Sequence, residues 1–539
     1  MSNPSTNLAR HLVRRLIELG ISDVVIAPGS RNAPLSLAFM AAADRGFIRT
    51  HIRIDERGAA FFALGLAKAT KRYVPVLSTS GTAVANFMPA VLEAYHSNER
   101  LLLLTADRPE RLRKTGANQT TLQQGIFGNF VGKSIDTATA FEPSHLLANG
   151  GPVHFNLQFD EPLLPEGVSE RTWLDGIKVS PLDHRILVPA EIAINQSRIA
   201  IVVGHDLAGF SPAEIDEFAK ATNGVLISED PLSFPDAIPH ASLILSHEAV
   251  REELQADLVI VIGRTTLNRP LNSYITAAKK IMVIDPRTAE IDTRRSADEL
   301  HHVLPKVLAS KGNPEWRSRW LEFFTLATEA ISSSAEWSEG RVAAAVAQLD
   351  MDALFVASSR PIRDIEAFAL PRDANQPSHT RVFANRGLAG IDGNISTAMG
   401  IAEEHATTVA LLGDLAFLHD ISALSNPIEA DLTIIVVDND GGGIFSTLPQ
   451  RGVDHFEDVF GTPHGRDLKK IATAFGMKTI EVESVSDLLQ VFEDRTNRKK
   501  SESKMTVIIA NMPDRESNAE NLEQIKARYI ELAGALVTS

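Results

Sequence analysis

What most constrains this chain is a series of short, unbroken apolar runs, each closed by a small or polar turn and followed by a stretch of helical periodicity. DVVIAPG, PVLSTS and LLLLTA come early, RIAIVVG, ADLVIVIG and KIMVIDP in the middle, and TVALLGD, LTIIVVDND and MTVIIANM near the end. Strands that are apolar on both faces must be covered on both faces. Alternation with helices supplies that cover, so parallel sheets flanked by helices are expected. RTHIRI, PVHFNLQF, GVLISED, LFVASS and RVFANRG complete three sets of strands. A chain of 539 residues exceeds a single core several times over. Composition shifts near residue 185, and again between SKGNPEWRSRW and ISSSAEWSEG. The expectation is an α/β protein of three doubly wound parallel-sheet domains, 1–185, 186–340 and 341–539, the first and third alike in architecture.

Charge and composition remove whole classes of function. A formal net charge of −15 leaves no general basic surface for nucleic acid, so any anionic ligand must be met by local arginines. The absence of cysteine excludes disulfides, thiol catalysis and cysteine-based metal sites, and makes a cytoplasmic location the default. The N-terminal MSNPSTNLARHLVRRLIELG reads as an amphipathic helix without a signal-like apolar core. The apolar runs are too short for a transmembrane segment.

Ligands of open parallel sheets bind beyond the carboxyl ends of the strands. There the first domain carries Ser30, Arg31, Glu56, Ser80, Gly81, Asp107 and Arg108, and the third carries Ser359, Arg386, Asp414 and Asn439. The middle domain offers Asp206, Arg264, Asn268 and Arg269. Glu56 is conspicuous, because it opens the nearly all-apolar stretch ERGAAFFALGLAKAT. An acid in a first helical turn gains roughly 0.3–1 kcal/mol from the helix dipole, but that does not account for its apolar surroundings.

In LLGDLAFLHDISALSNPIEADLTIIVVDNDGGGIF, Asp414 and Asn439 stand 25 positions apart, each ending a predicted strand. Mg²⁺ takes oxygen ligands and usually retains phosphate oxygens and water. A carboxylate, an amide oxygen and a backbone carbonyl near Gly441 would supply three positions, and the glycines would admit a diphosphate.

This segment resembles the diphosphate and Mg²⁺ motif of thiamine-diphosphate enzymes, with Leu415 where a second Gly is usual and Asp438 where Asn is common. PGSRNAPL, IDERGAAFFALGLA, TSGTAVAN, TADRP, GANQT, NRGLAGIDG, GDLAFLHD and GGGIFSTLP, in that order, extend the resemblance over essentially the whole chain, to the menaquinone-biosynthesis branch of that superfamily.

The resemblance implies thiamine-diphosphate-dependent decarboxylation of 2-oxoglutarate and addition of the resulting succinyl-semialdehyde carbanion to isochorismate. It makes 1–185 the pyrimidine-binding domain and 341–539 the diphosphate-binding domain. Glu56 would hydrogen-bond N1′ of the cofactor's pyrimidine, driving it to the imino form whose 4′-nitrogen deprotonates C2. Apolar surroundings strengthen such a bond. Ser80, Gly81, Ile391, Gly413, Asp414, Leu415, Asn439, Gly441, Gly442, Ile444 and Phe445 would complete the cofactor site, with Ile391 as an aliphatic prop. Asp414, Asn439 and Gly441 would hold Mg²⁺ (or Mn²⁺).

Both substrates are dicarboxylates, which guanidinium groups match better than ammonium groups. Motif matches assign Ser30, Arg31 and Arg108 to isochorismate. Asn118, Gln119, Ser359, Arg363 and Arg386 would hold the 2-oxoglutarate-derived group, and Phe445 and Leu448 would cover the reacting centre. Arg269 is the middle-domain candidate, followed by Pro270 in the place of a second basic group. No histidine is assigned to the site. The family pattern implies a homodimer or homotetramer with active sites at the subunit interface. The other readings are a carboligase of acetolactate synthase type, which would leave the arginines without a purpose, and a non-catalytic regulatory homologue, which would not need Glu56.

Overall fold

The computed structural model describes residues 3–148, 150–165, 172–182, 188–265, 268–287, 296–334, 336–371, 380–496 and 505–538. The boundary expected near residue 185 lies outside them. Tertiary contacts gather the chain into two compact units. One comprises residues 1–186, 387–406 and 419–432, and the other the remainder.

The first unit is built on a six-stranded sheet of β1 (Asp23–Ile26), β2 (Arg49–Ile52), β3 (Val74–Ser78), β4 (Leu101–Asp107), β5 (Lys133–Thr137) and β6 (Val153–Gln158), in the order β2-β1-β3-β4-β6-β5. Every described pairing in it is parallel. Its central strand β4 is buried throughout, as the run LLLLTA requires. The edge strand β5 (KSIDT) was not expected: it mixes polar and apolar residues, because one edge needs no apolar neighbour.

The second unit carries two larger sheets. One consists of β8 (Ile199–Val203), β9 (Val225–Ser228), β10 (Leu258–Ile262), β11 (Ile281–Ile284) and β12 (Glu299–His301), ordered β12-β11-β10-β8-β9, with a separate pair formed by β7 (Glu191–Ile194) and β13 (Lys306–Ser310). The other has β14 (Ala353–Val356), β15 (Arg381–Phe383), β16 (Thr408–Gly413), β17 (Leu432–Asp438), β18 (Lys478–Val482) and β19 (Met505–Asn511), ordered β15-β14-β16-β17-β19-β18. That order repeats the first sheet strand for strand, so the expected likeness of the first and third sets is found. The unexpected β18 (KTIEV) occupies the same edge position as β5.

In the first sheet the winding direction reverses between β1 and β3, and in its counterpart between β14 and β16, which places crevices outside those strand ends. The middle sheet reverses between β8 and β10, but an antiparallel bridge from Asp206 to Arg264 crosses that point. A Cβ on Gly204 would lie 2.0 Å from the Arg264 carbonyl oxygen. Asp206 is also paired at 2.8 Å to Arg287, which binds Asp285 as well. Asp206 and Arg264, offered by the sequence as ligand groups, here fasten the sheet to itself.

The Glu56–Thr70 helix is capped by Asp55, whose Oδ1 accepts the amides of Arg57 and Gly58, and is buried continuously from Gly58 to Ala69. It crosses the Asn394–Ala402 helix through Gly65 and Gly400. A Cβ on the first would stand 2.1 Å from the Thr397 carbonyl oxygen, and on the second 2.1 Å from that of Phe62. Each helix is also tied to the segment 420–422: Ser422 Oγ donates to Asp55 Oδ2 at 2.6 Å, and the Ser396 amide to Asp420 at 2.7 Å. Burial raises the Asp420 carboxyl to about 6. Small residues at the crossing thus set the helix that begins with Glu56 against its neighbour.

Candidate active site

In the first unit the residues selected from the sequence converge on the β1/β3 crevice. Gly29, after β1, abuts Thr79, after β3, so closely that a Cβ on it would meet the threonine at 2.3 Å. Ser80 is fully buried and donates to the Gln119 carbonyl at 3.0 Å, while Gln119 Nε2 returns a bond to the Ser80 carbonyl at 2.9 Å. Arg108 donates to Ser80 Oγ and to the Gln119 carbonyl, each at 2.7 Å. Gly81 has φ +88°, a left-handed value that suits glycine, and the Gln119 side chain lies where a Cβ would project. Arg31 donates to the Phe159 carbonyl at 3.0 Å, with Glu161 3.4 Å away. The Arg108 guanidinium is held below its usual value, first by burial and then by the charge of Arg31. Asp107 and Glu161 act in the opposite direction.

Ser30 and Asn118 are exposed, and neither side chain is drawn into this network. Glu56 is half-buried at the head of its helix, with Asn86 Nδ2 3.5 Å from its Oε2. Ile391 is 41% exposed on the loop before Asn394, as a residue offered to a ligand would be. The start of that loop is held by Glu93, whose two oxygens accept the amides of Gly387 and Leu388 at 2.7 and 2.8 Å.

The sequence reading missed the support beneath. Gln123, 1% exposed, accepts the Gly81 amide at 3.0 Å and donates to the Ala106 carbonyl and to Asn156 Oδ1. Asn156 also binds Asp107 and Asp136, and Arg113 bridges the same two carboxylates. These residues come from three strands and a loop, so no local spacing signals them.

In the second unit Asp414 opens a short helix after β16 and is 2% exposed. Its oxygens accept the amides of Leu415 at 2.6 Å and Gly441 at 2.7 Å, which joins the two halves of the motif. Burial raises its carboxyl to about 6, and the nearby Asp438 acts in the same direction. No histidine was assigned to the site from the sequence; in the structure His464 Nε2 lies 3.3 Å from Asp414 Oδ2 and 3.6 Å from Asp438 Oδ1. One ligand atom from each of these three residues falls within 4.8 Å of the others. Asn439 Oδ1 is buried and accepts no hydrogen bond among the described residues. A buried acceptor without a donor, two residues before the Gly441 amide that Asp414 accepts, fits a divalent cation.

The glycines serve the chain itself before any ligand. A Cβ on Gly441 or Gly442 would meet the carbonyl oxygens of Gly461 and Phe460 at 2.1 and 2.2 Å, and one on Gly443 would meet Asn439 Nδ2 at 2.3 Å. Gly413, by contrast, faces open space. Ile444 and Leu448 are half-buried in and beside the Gly443–Thr447 turn, and Phe445 packs on Phe460 at 5.4 Å.

At the β14/β16 crevice Ser359 has φ +76°, a strained conformation for serine that costs on the order of 1–3 kcal/mol and that clusters at functional sites. Gly81, which follows β3 in the first sheet, has nearly the same backbone angles. Arg363 donates to the Ser359 carbonyl at 2.7 Å, and Arg386, 6% exposed, to Ser358 Oγ at 3.0 Å. The Arg363 guanidinium is lowered by burial, then by Arg386 and Arg360. Arg269 stands exposed at the head of its own helix and makes no ion pair among the described residues.

The family described as thiamine pyrophosphate enzyme, N-terminal TPP binding domain, matches residues 6–126. The middle domain of thiamine pyrophosphate enzymes matches 177–356, and the C-terminal TPP binding domain matches 369–509. Thiamine pyrophosphate and thiamine diphosphate are one compound. Among curated relatives, the 2-succinyl-5-enolpyruvyl-6-hydroxy-3-cyclohexene-1-carboxylate synthase of Thermobifida fusca (strain YX) is 38% identical, over 93% of this chain and 97% of its own. The protein of the same name from Nocardioides sp. is 37% identical over 90% and 92%, and that from Lysinibacillus sphaericus 34% over 92% and 93%. With both sheet-edge clusters in place and such likeness along nearly its whole length, the chain belongs to the 2-succinyl-5-enolpyruvyl-6-hydroxy-3-cyclohexene-1-carboxylate synthase family of thiamine pyrophosphate enzymes.

Proposed function

We propose that this chain decarboxylates 2-oxoglutarate and joins the remaining four-carbon unit to isochorismate, releasing CO₂ and forming the product for which its relatives are named. The observation that carries this reading is the presence of arginines held at both crevices, Arg31 on the Phe159 carbonyl and Arg108 on Ser80, Arg363 on the Ser359 carbonyl and Arg386 on Ser358, in a chain of net charge −15. Guanidinium groups match carboxylates, and both substrates are dianions.

Bound thiamine diphosphate supplies a nucleophilic carbon at C2 and a sink for the electron pair left when CO₂ departs. Glu56 is the residue that would hold N1′ of the pyrimidine, which would keep the 4′-nitrogen basic. Asp414, Asn439 and the Gly441 carbonyl are the groups that would hold Mg²⁺ (or Mn²⁺), and Gly413 would leave room for the diphosphate. Arg363 and Arg386, with Ser359, orient the carboxylates derived from 2-oxoglutarate, while Arg31 and Arg108 orient isochorismate. Ile444, Phe445 and Leu448 exclude water from the reacting centre. Residues 1–185 bind the pyrimidine and 341–539 the diphosphate, with the complete site assembled from two copies in at least a homodimer.

Isochorismate consumption by the purified protein with thiamine diphosphate and Mg²⁺ tests this. Loss that requires 2-oxoglutarate is the expected result. Loss supported equally by pyruvate, or no loss with cofactor bound, refutes it.

A further inference from the structure

Asn439 can serve a cation only if its amide is turned the right way, and a flipped amide would present nitrogen instead. Its Nδ2 lies 2.7 Å from Glu339 Oε1. An ionised carboxylate only accepts hydrogen bonds, so at this distance the asparagine must face Glu339 with its nitrogen, and Oδ1 is directed away. That oxygen is the buried acceptor without a donor noted above. The amide's reading is therefore fixed by the chemistry of its neighbour.

Glu339 is itself held. It opens the Glu339–Ala347 helix, is 6% exposed, and donates its backbone amide to Asn518 Oδ1 at 3.3 Å. Its Oε2 is 3.5 Å from Arg360 Nε, and Arg360 is in turn paired with the buried Asp364. Gly443 completes the cradle, since a Cβ there would collide with Asn439 Nδ2. The structural signal comes from 100 positions upstream of Asn439, outside the motif altogether.

We infer that Glu339 is a positioning residue for the divalent cation: by accepting Nδ2 of Asn439 it locks the amide so that Oδ1 is presented as a ligand. This rests on the reading of Asn439 as a cation ligand. Outer partners of metal ligands typically contribute about 10–100-fold in affinity.

The test is Mn²⁺ titration of the full-length protein with thiamine diphosphate, following free Mn²⁺ by electron paramagnetic resonance. N439A should weaken Mn²⁺ binding at least about tenfold, and E339A about 10–100-fold. E339Q should stay within about threefold of the native protein, because its amide oxygen can accept the same N–H. E339A added to N439A should change affinity less than about twofold, since the two act through one atom. If N439A binds normally, the ligand reading falls. If N439A is weakened and E339A is not, or if E339Q is as weak as E339A, the positioning role falls. Should E339A not fold, E339M keeps the volume without the acceptor and is read in its place.

Discussion

Replacing Gly65 by alanine sets local and tertiary effects directly against each other. In an isolated helix the change is favourable by about 1 kcal/mol. Gly534, in the Arg515–Thr538 helix, shows the unopposed case: its new Cβ would meet only His247 Nε2, at 3.7 Å. G534A should therefore stabilise the protein by about 0.5–1 kcal/mol. At Gly65 the Cβ would lie 2.1 Å from the Thr397 carbonyl oxygen and 3.1 Å from Gly400 Cα. Both obstacles are backbone, so relief requires the helices to part by roughly 1 Å, a gap that forfeits up to about half of each contact across it. Overpacking costs about 1–3 kcal/mol, and a backbone clash falls at the upper end, which leaves a net loss near 2 kcal/mol. For a unit of this size that lowers the melting temperature by about 4–8 °C. The assay is differential scanning calorimetry at fixed scan rate and protein concentration, because oligomers and irreversible unfolding make the midpoint depend on both. G65A should melt below the native protein and G534A above it. A G65A protein that melts at or above the native value would refute the argument that this crossing is backbone-tight. Turnover should fall with it, since Asp55, at the Glu56 end of the helix, is bonded to Ser422 in the segment that also holds Ser396 of the neighbouring helix through Asp420.

Mixed oligomers test the shared site: E56Q and D414A should each be inactive, yet an equimolar mixture should regain about a quarter of native turnover, since random pairing leaves one intact site in each mixed dimer. A mixture as inactive as its parents would exclude a site built from two copies. Arg363→Ala should raise KM for 2-oxoglutarate tenfold or more with KM for isochorismate nearly unchanged, and Arg31→Ala should do the reverse, as steady-state kinetics with either substrate varied will show. His154 is fully buried between Thr105 and Ser134, and burial lowers its imidazole to about 4. Its unfolded form titrates near 6.5, so between about 4 and 6.5 the unfolded chain binds the extra proton and stability rises with pH. The full effect approaches about 3 kcal/mol, and H154N should flatten the dependence of the urea midpoint across that window.

Much of the fold was legible because a strand buried on both faces has little freedom in composition: β4, β10 and β16 announce themselves as apolar runs. Strands β5, β7, β12, β13 and β18 did not, since edges and small pairs tolerate polar residues and their pattern matches that of loops. The site divides in the same way. Asp414, Asn439, Arg31 and Arg108 lie in contiguous motifs at strand ends, where topology places ligands whatever the details of packing.

By itself the sequence determined the alternation of strands and helices, the chemistry at the strand ends, and the need for arginines in an acidic chain, because each is a property of neighbours along the backbone. Only the tertiary structure decided that His464 stands beside Asp414, that Gln123 carries the Gly81 turn, that Glu339 turns the Asn439 amide, and that Asp206 and Arg264 close the middle sheet instead of opening it to a ligand. Those are meetings of buried polar groups far apart in the chain. Burial leaves such a group few affordable partners, but which partner it meets is settled by how the layers pack.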